Sequence, residues 1–384
     1  LYLLPLILVV ASAGFSFLLN KFMYKYARNI GAQYKDENIV RWAATTKPTV
    51  GGFSFYVTFV VSGLVYWFTQ QHVAGVSVEF WVTMGVVTLG FLVGLHDDVY
   101  ETKPLIKFLG QVSCALILIG FDLGINLFGF WPVDHFLTIF WVVGIMNSIN
   151  LLDNMDGVTG TISLTIVMVT VLRIVLLDSN AAMNPYLFTL LASAGAFVGF
   201  LFLNLKPSKI YMGDTGSQFL GALLAVIGIK FFWNFEIDGR GVYWPTRVIV
   251  PIMLFLVPIM DTTFVTVARI MRGQSPFVGG KDHLTHHMTY LGVADKFVPF
   301  VLGLVSLVSG LLAVFGLRYL LTWSVVQTVI FVAYILVVFF IFFRLYKKGE
   351  RIGLANQRFA RTFERAYKER QEREFEPEEA QQHS

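Results

Sequence analysis

Asn147–Ser148–Ile149–Asn150–Leu151–Leu152–Asp153–Asn154–Met155–Asp156–Gly157 decides how the rest of the chain is read. It follows the apolar run Phe136–Met146 and precedes another, Ile162–Leu177, so its polar groups fall where a membrane-spanning helix ends. Asn147, Asn150, Asp153 and Asp156 recur every three residues. Side chains three or four apart are neighbours on a helix, so these form one polar stripe. Carboxylates at that depth are costly, and ionisable groups within a membrane mark function by default. The alternative is a polar seam between helices, with an ordinary turn at Gly157 and Gly160. Similar clusters in other loops on the same side favour function.

Outward from this stretch, the chain of 384 residues is 56% hydrophobic and 14% charged. Average globular domains are about 45–50% apolar and about 25% charged. The expected fold is therefore all-α, a polytopic membrane helix bundle. A span needs about 20 mostly apolar residues. Eleven stretches qualify: 3–22, 51–69, 79–95, 106–121, 136–152, 162–178, 186–203, 217–233, 247–266, 298–316 and 321–343. Cys114 is the single cysteine, so no intrachain disulfide forms, and its apolar setting reads as inert packing. Leu3–Leu19 lacks a basic leader and is followed by Lys21, Lys25 and Arg28, which reads as a retained first span entering from outside.

Alternating sides gives the orientation. The loops that begin with residues 21–47, together with the C-terminal tail, hold 24 Lys and Arg, against 5 on the opposite side. The positive-inside rule then places the N-terminus outside and the C-terminus in the cytoplasm. Residues 1–346 are expected to form a transmembrane catalytic bundle. Residues 347–384 are expected to form a charged cytoplasmic tail, helical at first and disordered from Glu374. Ile352, Ala355, Phe359, Phe363 and Ala366 recur at helical spacing, which reads as a basic amphipathic helix either continuing from the last span or lying on the inner leaflet.

The expected cytoplasmic side carries four further clusters. Thr45–Gly52 centres on Lys47, either an anion holder or a topogenic lysine beside a Pro-Gly turn. His96–Lys103 contains Asp97 and Asp98, with Lys107 just beyond. Adjacent carboxylates repel unless a cation compensates, and a divalent metal or Lys107 are the two candidates. Helix neighbours point about 100° apart, so the two Asp have different tasks. Asn204–Ser217 holds Gly213, Asp214 and Gly216 ahead of a helix. A Gly-rich turn into a helix N-terminus suits phosphate, and Asp214 there calls for a bridging cation. Mg²⁺ is held by one or two carboxylates plus phosphate oxygens, which makes Asp214 the metal candidate. The last cluster is Asp261, Arg269, Arg272 and Gly279–His287, with His283, His286 and His287. No cysteine accompanies these histidines, so they read as donors to phosphate or nucleotide rather than as transition-metal ligands.

Taken in order, Asp97–Asp98, Asn147-x2-Asn150-x2-Asp153-x2-Asp156–Gly157, Met212–Ser217 and His283-x2-His286–His287 resemble the polyprenyl-phosphate N-acetylhexosamine-1-phosphate transferases over about residues 1–345. The resemblance implies transfer of a sugar-1-phosphate from a UDP-sugar to undecaprenyl phosphate, with release of UMP. It also implies a Mg²⁺ requirement, with Mn²⁺ as a substitute. It makes Asp97, Asp98 and Asp156 catalytic and Asp214 the metal ligand. Lys47, Lys107, Asn147, Asn150, Asp153, Asn204, Arg272, His283, His286 and His287 become substrate-binding residues. The implied partners are a UDP-N-acetylhexosamine, undecaprenyl phosphate and the bilayer, without nucleic acid, and a homodimer is an expected assembly. The implied location is the bacterial inner membrane, with the site on the cytoplasmic face.

The spaced His283-x2-His286–His287, eleven spans and the basic tail look like the branch using UDP-GlcNAc for a cell-envelope polysaccharide. The other branch uses UDP-MurNAc-pentapeptide for peptidoglycan. A transporter is the reading from another class. Transporters place ionisable groups near the bilayer midplane on broken helices, whereas these lie at one face.

Overall fold

The computed structural model describes residues 3–30, 47–70, 77–235, 244–275, 280, 282–319 and 324–374. Among them the chain is helical throughout, with no strand beyond an isolated parallel bridge between Thr49 and Tyr211. The helices are α1 (Leu3–Ile30), α2 (Gly51–Gln70), α3 (Val78–Tyr100), α4 (Pro104–Gly120), α5 (Trp131–Leu152), α6 (Val158–Leu177) and α7 (Pro185–Asn204). They continue with α8 (Gly213–Gly228), which runs into a π-helical turn at Ile229–Trp233, then α9 (Trp244–Leu254) and α10 (Leu256–Met271). The last three are α11 (Leu284–Tyr290), α12 (Val298–Tyr319) and α13 (Val325–Glu374). Among the described residues nine helices are long and apolar enough to cross a membrane, or ten if the bent pair α9–α10 is one span. The protein is a multi-pass membrane helix bundle.

The expected span at 247–266 is a pair of helices, α9 and α10, bent by 78° at their junction. Pro258 has no N–H for the Leu254 carbonyl, and the ladder breaks at Phe255 between them. Ser148 Oγ on α5 donates to the Pro258 carbonyl at 2.7 Å, and Thr262 Oγ1 donates to Ser148. The bend is thereby fastened to α5. The expected span at 106–121 is α4, a 17-residue helix shorter than its neighbours.

At the centre lies α8, whose apolar window through Trp233 is 94% buried. Lipid tails are as apolar as leucine, so helices in a bilayer associate through close packing and small residues. Gly90 of α3 sits where a Cβ would meet the Gln218 carbonyl at 3.0 Å, and Gly221 of α8 faces the Met146 backbone of α5 at 2.6 Å. Gly94 lies against the backbone of Asp214. These approaches align the end of α3, the end of α5 and the start of α8.

Candidate active site

Glu101 ends α3 in the left-handed region (φ 47°), and Pro104 opens α4, so the chain reverses tightly. Asp97 accepts from the Thr102 N–H at 3.1 Å and from Lys107 Nζ at 2.7 Å. Lys107 Nζ also donates to Asp214 Oδ1 at 2.9 Å and to Asn150 Oδ1 at 3.2 Å. Asn150 Nδ2 donates in turn to Asp214 Oδ1 and to Ser217 Oγ. One ammonium thus joins α3, α4, α5 and α8. Lys107 and Asp97 are mostly enclosed, while the Asp214 side chain keeps 37% of its exposure.

Asp98 faces another way. Its Oδ1 accepts from the Asp214 N–H at 3.0 Å, and its Oδ2 accepts from the Thr215 N–H at 2.8 Å and Thr215 Oγ1 at 2.6 Å. It caps the first turn of α8, where orphan N–H groups and the helix dipole favour an anion. Gly213 is required beside it: its φ is +74°, and a Cβ there would stand 2.7 Å from Asp98 Oδ2. Asp97 and Asp98 therefore differ in surroundings, as their separation on the helix leads one to expect.

Asp153 and Asp156 leave α5 at the same end. Burial first, then the charges of Asp214, Asp156 and Asp98, push Asp153 up to about 7. Lys47 Nζ donates to Ser208 Oγ at 2.6 Å, lies 3.5 Å from Asp156 and sits over the Tyr211 ring. The Lys47 segment is stitched to the α7–α8 connection by Tyr211 N–H to the Pro48 carbonyl and Gly51 N–H to the Tyr211 carbonyl. Thr45 and Thr46, named with this cluster, lie outside the described residues.

Beside this acidic group stands the late motif. Arg269, 2% exposed, grips Asp282 with Nε to Oδ2 at 2.9 Å and Nη2 to Oδ1 at 2.8 Å, and Arg272 adds a contact at 2.6 Å. Burial works to raise the Asp282 carboxyl, but the Arg269 bonds and charge reverse it and hold it at about 2. Asp261 accepts from the Leu284 N–H at 2.8 Å, and its Oδ2 lies 2.9 Å from His283 Nδ1. Thr285 Oγ1 donates to Asn154 Oδ1, which joins the late motif to the end of α5. Gly279 and Lys281 lie outside the described residues.

Three expected substrate residues are placed differently. Asn204 is buried, accepting from the Gly157 N–H and donating to the Ile210 carbonyl, a tie between two loops. Asn147 exchanges hydrogen bonds with Gln111, which donates to Gln218. This carboxamide ladder runs into the bundle below Asn150. His287 packs its ring 4.2 Å from that of Tyr346 on α13. Sequence reasoning missed Gln111, Gln218 and Ser208, and gave Asp261 no task. A polar residue in the middle of an apolar helix was the available signal for the two glutamines.

Metal fit follows from the donor chemistry. Among the described residues no three His, Cys, Asp or Glu side chains form a ligand cage. Mg²⁺ needs none, since it keeps water and phosphate oxygens beside one or two carboxylates. Asp97, Asp98, Asp153, Asp156 and Asp214 face only Lys47 and Lys107 as lysine partners in the contacts above, an oxygen-rich and electron-rich set suited to a hard cation.

Known proteins resemble this chain over the same segments. The glycosyl transferase family 4 model matches residues 80–232, the segment from α3 to the end of α8 that carries most of the acidic group. The chain is 28% identical over 337 residues, 84% of each chain, to a probable undecaprenyl-phosphate N-acetylglucosaminyl 1-phosphate transferase of Bacillus subtilis. It is 27% identical over 332 residues to a phospho-N-acetylmuramoyl-pentapeptide-transferase of Limosilactobacillus reuteri, covering 82% of this chain and 97% of that one. A decaprenyl-phosphate N-acetylglucosaminephosphotransferase of Mycobacterium leprae is 27% identical over 282 residues, 67% of this chain and 70% of the relative.

Proposed function

We propose, from the premise that this chain belongs to glycosyl transferase family 4, that it moves GlcNAc-1-phosphate from UDP-GlcNAc to undecaprenyl phosphate. The chain is an enzyme, a phosphoglycosyltransferase. The products are undecaprenyl-diphospho-GlcNAc and UMP, and the reaction opens a cell-envelope polysaccharide. The observation that carries this reading is the meeting of Asp97, Asn150 and Asp214 on one Lys107 ammonium at one end of the bundle. An interfacial site of that kind suits a soluble donor and a lipid acceptor. The lysine and arginine asymmetry supports a cytoplasmic face of a bacterial inner membrane.

In the proposed step an oxygen of the lipid phosphate attacks the β-phosphorus of the donor. The bond from that phosphorus to the oxygen bridging the α-phosphate breaks, and UMP leaves with the electron pair. A phosphate monoester with a second pKa near 6 is mostly dianionic at neutral pH, so charge shielding matters more than a base. Asp214, together with substrate phosphate oxygens, would hold Mg²⁺, which would supply the positive charge that the transferring group needs. Lys107 and Lys47 add fixed positive charge, and Asp97 receives any residual proton from the acceptor. Asp98 holds the first turn of α8, and with it Asp214, in place. Arg272, His283 and His286 are assigned to the donor diphosphate and sugar.

The test is a donor panel with purified enzyme, undecaprenyl phosphate and Mg²⁺. Labelled lipid is expected from UDP-GlcNAc, with UMP released in equal amount, and Asp214→Asn should abolish it. Labelled lipid from UDP-MurNAc-pentapeptide alone would overturn the choice of sugar. Substrate counterflow in proteoliposomes without UMP release would overturn the enzyme reading. Rapid exchange of UMP with UDP-sugar without acceptor would replace direct attack by an aspartyl-phosphate route.

A further inference from the structure

The sequence reads the end of the chain as a span followed by a basic amphipathic helix, with no contact to the site. Its apolar window is 6% buried, so it lies mostly against lipid. Near residue 350 its surroundings change. Tyr346, Gly349 and Gly353, spaced i, i+3 and i+7, form one buried stripe that faces α11. The Tyr346 ring is 2% exposed and stands between His287, 4.2 Å away, and Phe264 of α10, 5.4 Å away. A Cβ at Gly349 would lie 2.6 Å from the His287 carbonyl oxygen and 2.9 Å from its Cα. A Cβ at Gly353 would lie 2.7 Å from the Tyr290 ring. The face of α13 thus meets α11 at His287 and Tyr290, one turn apart.

The length of α11 is seven residues. A helix so short is unstable alone and is held by what it packs on. Its front is tied by Asp261 to His283 and Leu284 and by Asn154 to Thr285. Its back rests on α13. We propose that the Tyr346–Gly349–Gly353 face of α13 is a positioning wall for α11, so that handling of the nucleotide-sugar depends on the last helix. This rests on the assignment of His283 and His286 to the donor.

The experiment compares Gly349→Ala, Gly353→Ala and the double variant Gly353→Ala/Tyr290→Ala with the full-length wild type. Leu354→Val, on the exposed face of α13, is the control. The donor KM should rise about 10-fold in Gly349→Ala and Gly353→Ala, with the acceptor KM unchanged, as expected for about 1.4 kcal/mol of lost donor binding. Removing the Tyr290 ring should restore part of the loss in the Gly353→Ala background. Amide hydrogen exchange of residues 284–290 should speed up in both single variants, while exchange in α8 stays as in the wild type. If Gly349→Ala is not recovered folded, Gly353→Ala decides, because its obstacle is a ring that can shift rather than backbone. Unchanged donor KM and unchanged exchange in α11 overturn the wall, as does a parallel rise of both KM values. If the wild type makes no lipid-linked sugar, the functional reading fails, and hydrogen exchange alone decides whether α13 orders α11.

Discussion

Lys107 Nζ lies 2.9 Å from Asp214 Oδ1, an ion pair between the first turn of α4 and the first turn of α8. The same ammonium holds Asp97 at 2.7 Å. Lys107 thus competes with any cation that approaches Asp214, and it supplies a charge that the reaction also needs. Lys107→Met makes the cluster one charge more negative. Mn²⁺ is therefore expected to bind more tightly to the variant in a paramagnetic titration. Turnover should fall by about 10²–10³, the usual loss on removing one electrostatic donor from a phosphoryl or acyl site. Weaker Mn²⁺ binding in Lys107→Met would contradict this placement of the lysine.

Asp97 and Asp98 are adjacent, yet their substitutions should separate stability from rate. Asp98 accepts three hydrogen bonds from Asp214 and Thr215. Asp98→Ala leaves the start of α8 uncapped and should cost about 1.5–3 kcal/mol, the range for a hydrogen bond to a charged group. A lowered unfolding temperature in detergent would record it. Asp97→Asn keeps the bundle nearly as stable, because Lys107 retains Asp214 and Asn150, but it should lose most of its turnover. Equal unfolding temperatures for the two variants would remove the distinction.

Hydropathy made the helices legible because a bilayer imposes length and apolarity on each span. Spacing made Asn150, Asp153 and Asp156 legible as a group because helix periodicity is local. Neither signal reports partners far away in the chain. Asp98 and Thr215 are 117 positions apart, and nothing near Asp98 says that it caps another helix. The break at Phe255 was hidden because proline in a span kinks the helix only as far as its neighbours permit, and Ser148 supports a 78° bend. Charge begins near residue 346, where the sequence reading ends the bundle and lets a basic amphipathic helix continue from the span. Lys, Arg, Glu and Gln are good helix formers, and α13 runs unbroken to Glu374, which is the first of the two readings of the tail.

The Arg269–Asp282 pair makes stability depend on acid in a defined window. Asp282 is held at about 2, below the ordinary carboxylate value of 3.8. A depressed carboxylate contributes fully above its unfolded value, and the contribution is lost as pH falls through the folded one. The loss is therefore expected between about pH 4 and pH 2 and amounts to about 2 kcal/mol. Asp282→Asn should flatten that part of the pH–stability curve. At neutral pH it should cost about 3 kcal/mol, because Arg269 is left buried without its countercharge. Thermal melts of both proteins from pH 7 downward check the two parts separately.

Asp261 sets the state of His283. An ionised carboxylate only accepts, so His283 Nδ1 must carry a proton to bond with it at 2.9 Å. The other ring nitrogen is then oriented away from Asp261 in a fixed tautomer. Asp261→Asn presents one oxygen and one amide group. Leu284 N–H can keep the oxygen, which turns the amide N–H toward His283 and moves the ring proton to the far nitrogen. Nitrogen-15 chemical shifts of labelled histidine should report that change of tautomer. The donor KM should rise about 10-fold, a coupling of about 1.4 kcal/mol, while the acceptor KM stays as it was. A variant with an unchanged histidine spectrum and unchanged donor KM would show that Asp261 does no more than cap α11.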